Sequence, residues 1–136
     1  MYKNIVVPID LANAERGKAM ITTAKTLCDK GGKITLVTVL DQIPGYVLTE
    51  MPSGIAEKRG EEAKSDLEAI ANAAGGKLGV EVQSGKPASE IIDTAKQIGA
   101  DLIIVASHNP GMQDYFLGST AARVVRHAPC SVLVDR

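Results

Sequence analysis

Short apolar stretches alternate along this chain with longer stretches of helical periodicity. Five of the short stretches predict strands, comprising residues 5–7, 34–40, 79–83, 102–106 and 131–134. The first is β-branched and unbroken by polar residues, which is typical of a parallel strand buried on both faces. The chain is therefore expected to contain a parallel sheet.

Four stretches predict helices, comprising residues 12–30, 57–74, 87–98 and 119–127. In the first, Met20, Ala24, Leu27 and Cys28 lie on one helical stripe, and two glycines at 31 and 32 are expected to end the helix. In the third, a proline occupies the first helical position. Residues 42–55 have no periodicity and contain two prolines and two glycines, so they predict the longest loop.

Strands that alternate with helices of this length predict an α/β fold with right-handed crossovers. With five strands, we expect a doubly wound parallel sheet in the order 3-2-1-4-5 and a single domain over residues 1–136. The topological switch point then lies between the first and fourth strands, where a ligand crevice opens at their carboxyl ends. Those ends are Pro8-Ile9-Asp10 and Ala106-Ser107-His108-Asn109.

The composition argues against several classes of partner. Aromatic residues make up 3% of the chain, there is no tryptophan, and the formal net charge is −1, so no nucleic-acid partner is expected. Cys28 and Cys130 have no metal-type spacing and are expected to be buried, reduced thiols. No apolar run is long enough to cross a bilayer, and we expect a cytoplasmic protein without a membrane span.

The predicted strand ends contain most of the polar groups that could bind a ligand. Asp10 could accept hydrogen bonds from both ribose hydroxyls, or it could cap the following helix. Ser107, His108 and Asn109 suit an anion. For His108 a solvent-facing position is favoured over a phosphate contact, and a role as general base is the least favoured alternative. No spacing of a Ser-His-Asp or Cys-His type supports catalysis by His108.

Gly118, Ser119 and Thr120 begin the last predicted helix. Ser119 is expected to be its N-cap. The N–H groups of the first helical turn also form a site for phosphate, which the helix dipole favours.

Several well-known nucleotide and phosphate motifs are missing. There is neither a G-x-x-x-x-G-K-[ST] sequence nor a G-x-G-x-x-G after the first strand. A receiver domain, which accepts a phosphoryl group, would require an aspartate at the end of the third strand. This chain has Ser84 there. Ordinary P-loop hydrolysis, dinucleotide binding and a receiver function are therefore disfavoured.

The chain resembles the universal stress protein family over its whole length. The resemblance rests on five segments in the family's order: Ile-Val-Val-Pro-Ile-Asp at 5–10, Leu-Val-Thr-Val-Leu at 36–40, Gly-Lys-Pro at 85–87, Ala-Asp-Leu-Ile-Ile-Val-Ala-Ser-His at 100–108, and Gly-Ser at 118–119 followed by Arg-His-Ala-Pro-Cys-Ser-Val-Leu-Val at 126–134. It implies an adenine nucleotide α-hydrolase-like fold and binding of ATP, with Mg²⁺ left open.

In the family's ATP-binding members a G-x2-G-x9-G-[ST] pattern holds the phosphates, and here it is altered. Ala106 and Asn109 replace the first two glycines, and eight residues separate Asn109 from Gly118. This shortened loop is similar to that of the bacterial members designated F and G. Carried over by position, the resemblance implies a nucleotide pocket that comprises Pro8, Ile9, Asp10, Val39, Val105, Ala106, Ser107, His108, Asn109, Gly118, Ser119 and Thr120.

The resemblance also implies a homodimer. In the predicted strand order, residues 131–134 form an apolar edge strand that could pair with its copy. The first hypothesis is a regulatory stress-response protein that binds ATP with little or no turnover. The alternatives are a dimeric adaptor of the same fold that does not bind nucleotide, and an ATPase or phosphotransferase.

Overall fold

A computed structural model describes residues 1–107 and 117–136 of the chain. Within them, five parallel strands form one sheet in the order β3-β2-β1-β4-β5. The strands are β1 (Tyr2–Pro8), β2 (Cys28–Leu40), β3 (Gly79–Ser84), β4 (Leu102–Ala106) and β5 (Ser131–Asp135). The predicted fold class and strand order are confirmed.

The helices lie on both faces of this sheet. They are α1 (Ala14–Leu27), α2 (Gly45–Leu48), α3 (Ile55–Ala74), α4 (Pro87–Ile98) and α5 (Ser119–His127), and a 3-10 turn (Leu11–Asn13) precedes α1. The short helix α2 lies inside the segment predicted as a loop, and α3 begins two residues before its predicted start. Among the described residues, no helix has the length and apolar character needed to cross a membrane.

The hydrophobic core is divided into two layers by the central strands. Ile5 and Ile104 pack on one side with residues of α1 and α3, whereas Val6 and Ile103 pack on the other with residues of α4 and α5. All four side chains are fully buried. Burial on both faces explains why β1 and β4 have continuous apolar sequences.

The first helix is shorter than its sequence predicts. It ends at Leu27, and Cys28 begins β2 by pairing with Tyr2. The predicted termination by Gly31 and Gly32 is therefore wrong, because both glycines lie within β2. They occupy an irregularity in the register that separates the Tyr2–Cys28 pair from the pairing of Asn4 with residue 33.

Geometry explains why glycines occupy this irregularity. Gly31 has a φ of +82°, which favours glycine. A Cβ atom on Gly32 would lie 2.7 Å from Sγ of Cys28 and 3.0 Å from the carbonyl oxygen of Lys3. The pairing of β1 with β2, rather than the two glycines, therefore determines where helix α1 ends.

Asp101 connects the start of β4 to the start of β1. Its carboxylate accepts hydrogen bonds from the backbone N–H groups of Lys3 and Asn4, each at 2.9 Å, and its own N–H donates to the carbonyl of Asn4. The bond from the N–H of Lys3 is the main reason why the pKa of Asp101 is lowered. These contacts align the two strands whose other ends form the candidate site.

Both cysteines are free thiols, but the prediction that they are buried is wrong, because each is only partly buried. Cys28 lies at the junction of α1 and β2 rather than within a helix. Desolvation raises the pKa of the Cys130 thiol, and the negative charge of Asp101 adds to this effect.

Candidate functional site

A crevice of about 410 Å³ lies at the carboxyl ends of the central strands. Strand β1 ends there between β2 and β4, and the first turns of α1, α4 and α5 complete the walls. Its volume is in the range of small-molecule sites. The crevice therefore occupies the switch point that the strand order predicts.

Ten of the twelve residues predicted for the pocket line this crevice. They are Pro8, Ile9, Asp10, Val39, Val105, Ala106, Ser107, Gly118, Ser119 and Thr120. The other two, His108 and Asn109, lie outside the described residues. Segments more than 100 positions apart in the sequence thus meet in one cavity.

The floor of the crevice is fixed by contacts between β1 and β2. The N–H of Ile9 donates to the carbonyl of Val37 at 2.7 Å, and the buried hydroxyl of Thr38 donates to the carbonyl of Ile9 at 2.9 Å. Gly17 of α1 lies against Ile9, since a Cβ atom there would be 3.0 Å from its Cδ1. These contacts hold an apolar surface at the end of β1, next to Val39.

Asp10 lies at the mouth of the crevice and caps the turn that follows. Its Oδ1 accepts a hydrogen bond from the N–H of Ala12 at 3.0 Å, and its carbonyl accepts one from the N–H of Asn13 at 2.9 Å. Of the two roles predicted for Asp10, capping is thus observed. A carboxylate has two oxygens and several acceptor positions, so capping through Oδ1 does not prevent it from also accepting bonds from a ligand.

The start of α5 differs from its prediction in one detail. Gly118 is the N-cap and Ser119 is the first helical residue, so the prediction that Ser119 is the N-cap is wrong. The reason is that the N–H of Gly118 donates to the carbonyl of Ser107 at 2.5 Å, which holds Gly118 in an extended conformation against β4. The N–H groups of Ser119 and Thr120 belong to the first turn, where a helix has no acceptor of its own.

Ala106 fits its position without backbone strain. It pairs with Asp135 as the last residue of β4, and no residue other than glycine has a positive φ in the described part of the chain. Alanine at this position therefore causes no backbone strain. The altered glycine pattern leaves the end of β4 in ordinary strand geometry.

Arg16 is a lining residue that sequence reasoning missed. Its Nη2 donates to the carbonyl oxygen of Asp135 at 2.7 Å and lies 3.4 Å from Oγ of Ser107. A signal for it does exist in the sequence, because Arg16 precedes Met20 and Ala24 by one and two helical turns. A charged residue in line with the apolar stripe of a helix is expected at the point where that face of the helix emerges from the core.

Comparison with known proteins establishes the family. The family model described as "Universal stress protein family" matches residues 1–136. The chain belongs to the universal stress protein family. Universal stress protein G of Escherichia coli O157:H7 is 29% identical over 142 residues, with all of both chains covered. Universal stress protein MJ0531 of Methanocaldococcus jannaschii is 32% identical, with 98% of this chain and 82% of that protein covered.

Solved structures of similar proteins agree with this membership. The structure of hypothetical protein MJ0577 superposes with a TM-score of 0.80 at 29% identity and covers 98% of this chain and 95% of its own. Two neighbours of lower identity share the fold. One is a universal stress protein in complex with cAMP, with a TM-score of 0.66 at 18% identity, which covers 99% of this chain and 97% of that one. The other is the universal stress protein from Archaeoglobus fulgidus in complex with dAMP, with a TM-score of 0.58 at 22% identity, which covers 99% of this chain and 98% of that one.

Proposed function

We propose that this universal stress protein binds adenine nucleotides, ATP among them, in the crevice at the ends of β1 and β4. The observation that supports this most directly is the convergence of an apolar floor, a carboxylate and a helix N-terminus on one cavity. Neighbours of the same fold that bind cAMP and dAMP favour this proposal over a nucleotide-free adaptor.

Each part of the crevice suits one part of the ligand. Ile9 and Val39 offer apolar surface for the adenine ring, and Pro8 and Val105 extend it. Asp10 offers carboxylate oxygens to the ribose hydroxyls. The phosphates would lie at the start of α5, where the N–H groups of Ser119 and Thr120 and the helix dipole favour negative charge.

We further propose that the protein regulates through binding rather than turnover. His108 and Asn109 are proposed as additional contacts to the nucleotide. Steady-state phosphate release by highly purified protein tests this proposal. Turnover that falls in Ser119→Ala and His108→Ala variants would contradict it.

Replacement of Asp10 by alanine is expected to weaken ATP binding by at least about tenfold, because each hydrogen bond to a charged acceptor contributes about 1.5–3 kcal/mol. Isothermal titration calorimetry with and without Mg²⁺ measures the change. Since Asp10 also caps a turn, Asp10→Asn retains an oxygen for that cap, and Asp66→Ala removes an exposed carboxylate of α3 as a matched control. Absent or millimolar ATP binding by the unaltered protein would contradict the proposed function.

We also propose a homodimer that pairs through residues 131–134 of β5. Both β3 and β5 are edge strands, but β3 carries the exposed charge of Glu81 near its middle, whereas the charged residue of β5, Asp135, is its last and residues 131–134 carry no charge. Charged residues on an edge strand oppose pairing with another chain. This difference favours β5 as the interface.

Sedimentation equilibrium is expected to give twice the chain mass of 14.3 kDa. Val132→Lys is expected to shift the protein toward the monomer because it places a charge on the edge, whereas Val82→Lys on β3 leaves the dimer intact. Circular dichroism checks that both variants fold. A monomer at all concentrations of the unaltered protein would contradict this arrangement.

A further inference from the structure

The crevice has few sources of positive charge. Among its described lining residues, Asp10 and Arg16 are the two with a formal charge. Residues 108–116, which complete the connection from β4 to α5, contain neither lysine nor arginine. Arg16 is thus the permanently charged cation that the lining and this connection provide for an anionic ligand.

The position of Arg16 matches the proposed phosphate end of the crevice. Its Nη2 lies 3.4 Å from Oγ of Ser107, and the carbonyl of Ser107 accepts the N–H of Gly118, the N-cap of α5. A short chain of contacts therefore connects the guanidinium to Gly118, the residue that precedes the N–H groups proposed to hold phosphate. Arg16 and the first residues of α5 thus line the same crevice.

The guanidinium also has unused hydrogen-bonding capacity. Arginine carries five N–H donors, and the contacts to Asp135 and Ser107 involve Nη2. The buried Nε has no acceptor among the described residues. A buried donor without an acceptor is unfavourable, and an oxygen of an anionic ligand would offer this donor a charged acceptor.

We infer that Arg16 binds the phosphate groups and makes affinity depend on their charge, so that ATP binds more tightly than AMP. This inference rests on the proposed nucleotide binding and assigns the recognition of phosphate charge to one side chain. Arginine suits the task because its fork of donors matches phosphate oxygens.

Replacement of Arg16 by methionine is expected to weaken ATP binding by about 10- to 100-fold and AMP binding by less, which reduces the ratio of the two affinities. Arg16→Lys keeps the charge and is expected to recover part of the loss. Lys18→Met removes one charge from the exposed side of the same helix and is the matched control. Calorimetry at two salt concentrations provides the readout, because removal of the cation should also flatten the salt dependence of ATP binding.

The role inferred for Arg16 and the proposed nucleotide binding can be contradicted separately. Because Arg16 also bonds to the carbonyl of Asp135, a purely structural role would lower the thermal midpoint and weaken ATP and AMP equally. An unchanged ratio in Arg16→Met, or a loss equal to that in Lys18→Met, would overturn the inference about Arg16 and leave nucleotide binding intact. An unaltered protein that binds neither nucleotide would overturn both.

Discussion

A Ser119→Asp variant is expected to bind ATP at least about 100-fold more weakly while its fold is at least as stable. The new carboxylate would stand at the first residue of α5, among the N–H groups proposed to hold phosphate. Two unit charges about 4 Å apart repel by about 4 kcal/mol at an effective dielectric constant of about 20, and each 1.4 kcal/mol is tenfold in affinity. Solvent screens part of this repulsion, so the expected loss of ATP affinity is at least about 100-fold.

The same substitution should favour folding slightly. A negative charge in the first turn interacts favourably with the helix dipole, by about 0.3–1 kcal/mol at exposed positions, and Ser119 is exposed. Binding and stability therefore change in opposite directions, which separates a loss of the site from a loss of the fold. Calorimetry with ATP and urea unfolding measure the two effects.

Matched variants complete this test. Ser65→Asp makes the same chemical change at an exposed position of α3 and should leave ATP binding unaltered. Ser119→Ala removes the hydroxyl without adding charge and should have a smaller effect than Ser119→Asp. Equal ATP affinity of Ser119→Asp and Ser65→Asp would show that phosphate does not bind at the start of α5.

Ile103→Ala and Ile104→Ala are each expected to lower the free energy of unfolding by about 2–5 kcal/mol, as is typical of buried isoleucines. These neighbours point to opposite faces of β4, and each is 0% exposed. Since whole domains are stable by about 5–15 kcal/mol, either change removes a large share of stability. Urea unfolding monitored by circular dichroism measures it.

Milder variants keep this prediction testable if an alanine variant fails to fold. Valine at either position should cost about 0.5–1.5 kcal/mol. Val125→Ala on α5, where the side chain is 48% exposed, should change stability by less than about 0.5 kcal/mol. Tolerance of alanine at one of the two isoleucines would mean that only one face of β4 is packed.

The polar residues of the site were predictable to different degrees. Ser107 directly follows β4, and Asp10 lies two residues after β1. Topology brings the carboxyl ends of these strands to one edge of the sheet, so the meeting of the two residues could be expected. The capping residue of α5 could not, because Gly118 and Ser119 both suit a helix start. The hydrogen bond from Gly118 to Ser107, between residues 11 positions apart, decided between them.

The sequence by itself determined the fold class and the place of the crevice. Strands buried on both faces need continuous apolar runs and amphipathic helices need periodic ones, so β1, β4 and α4 are visible as local patterns. Only the tertiary structure decided where α1 ends and what Arg16 contacts. The first depends on the pairing of Tyr2 with Cys28, and the second on a bond to Asp135 across 119 positions. Contacts between distant segments leave no periodic signal in either segment, which is why local patterns could not predict them.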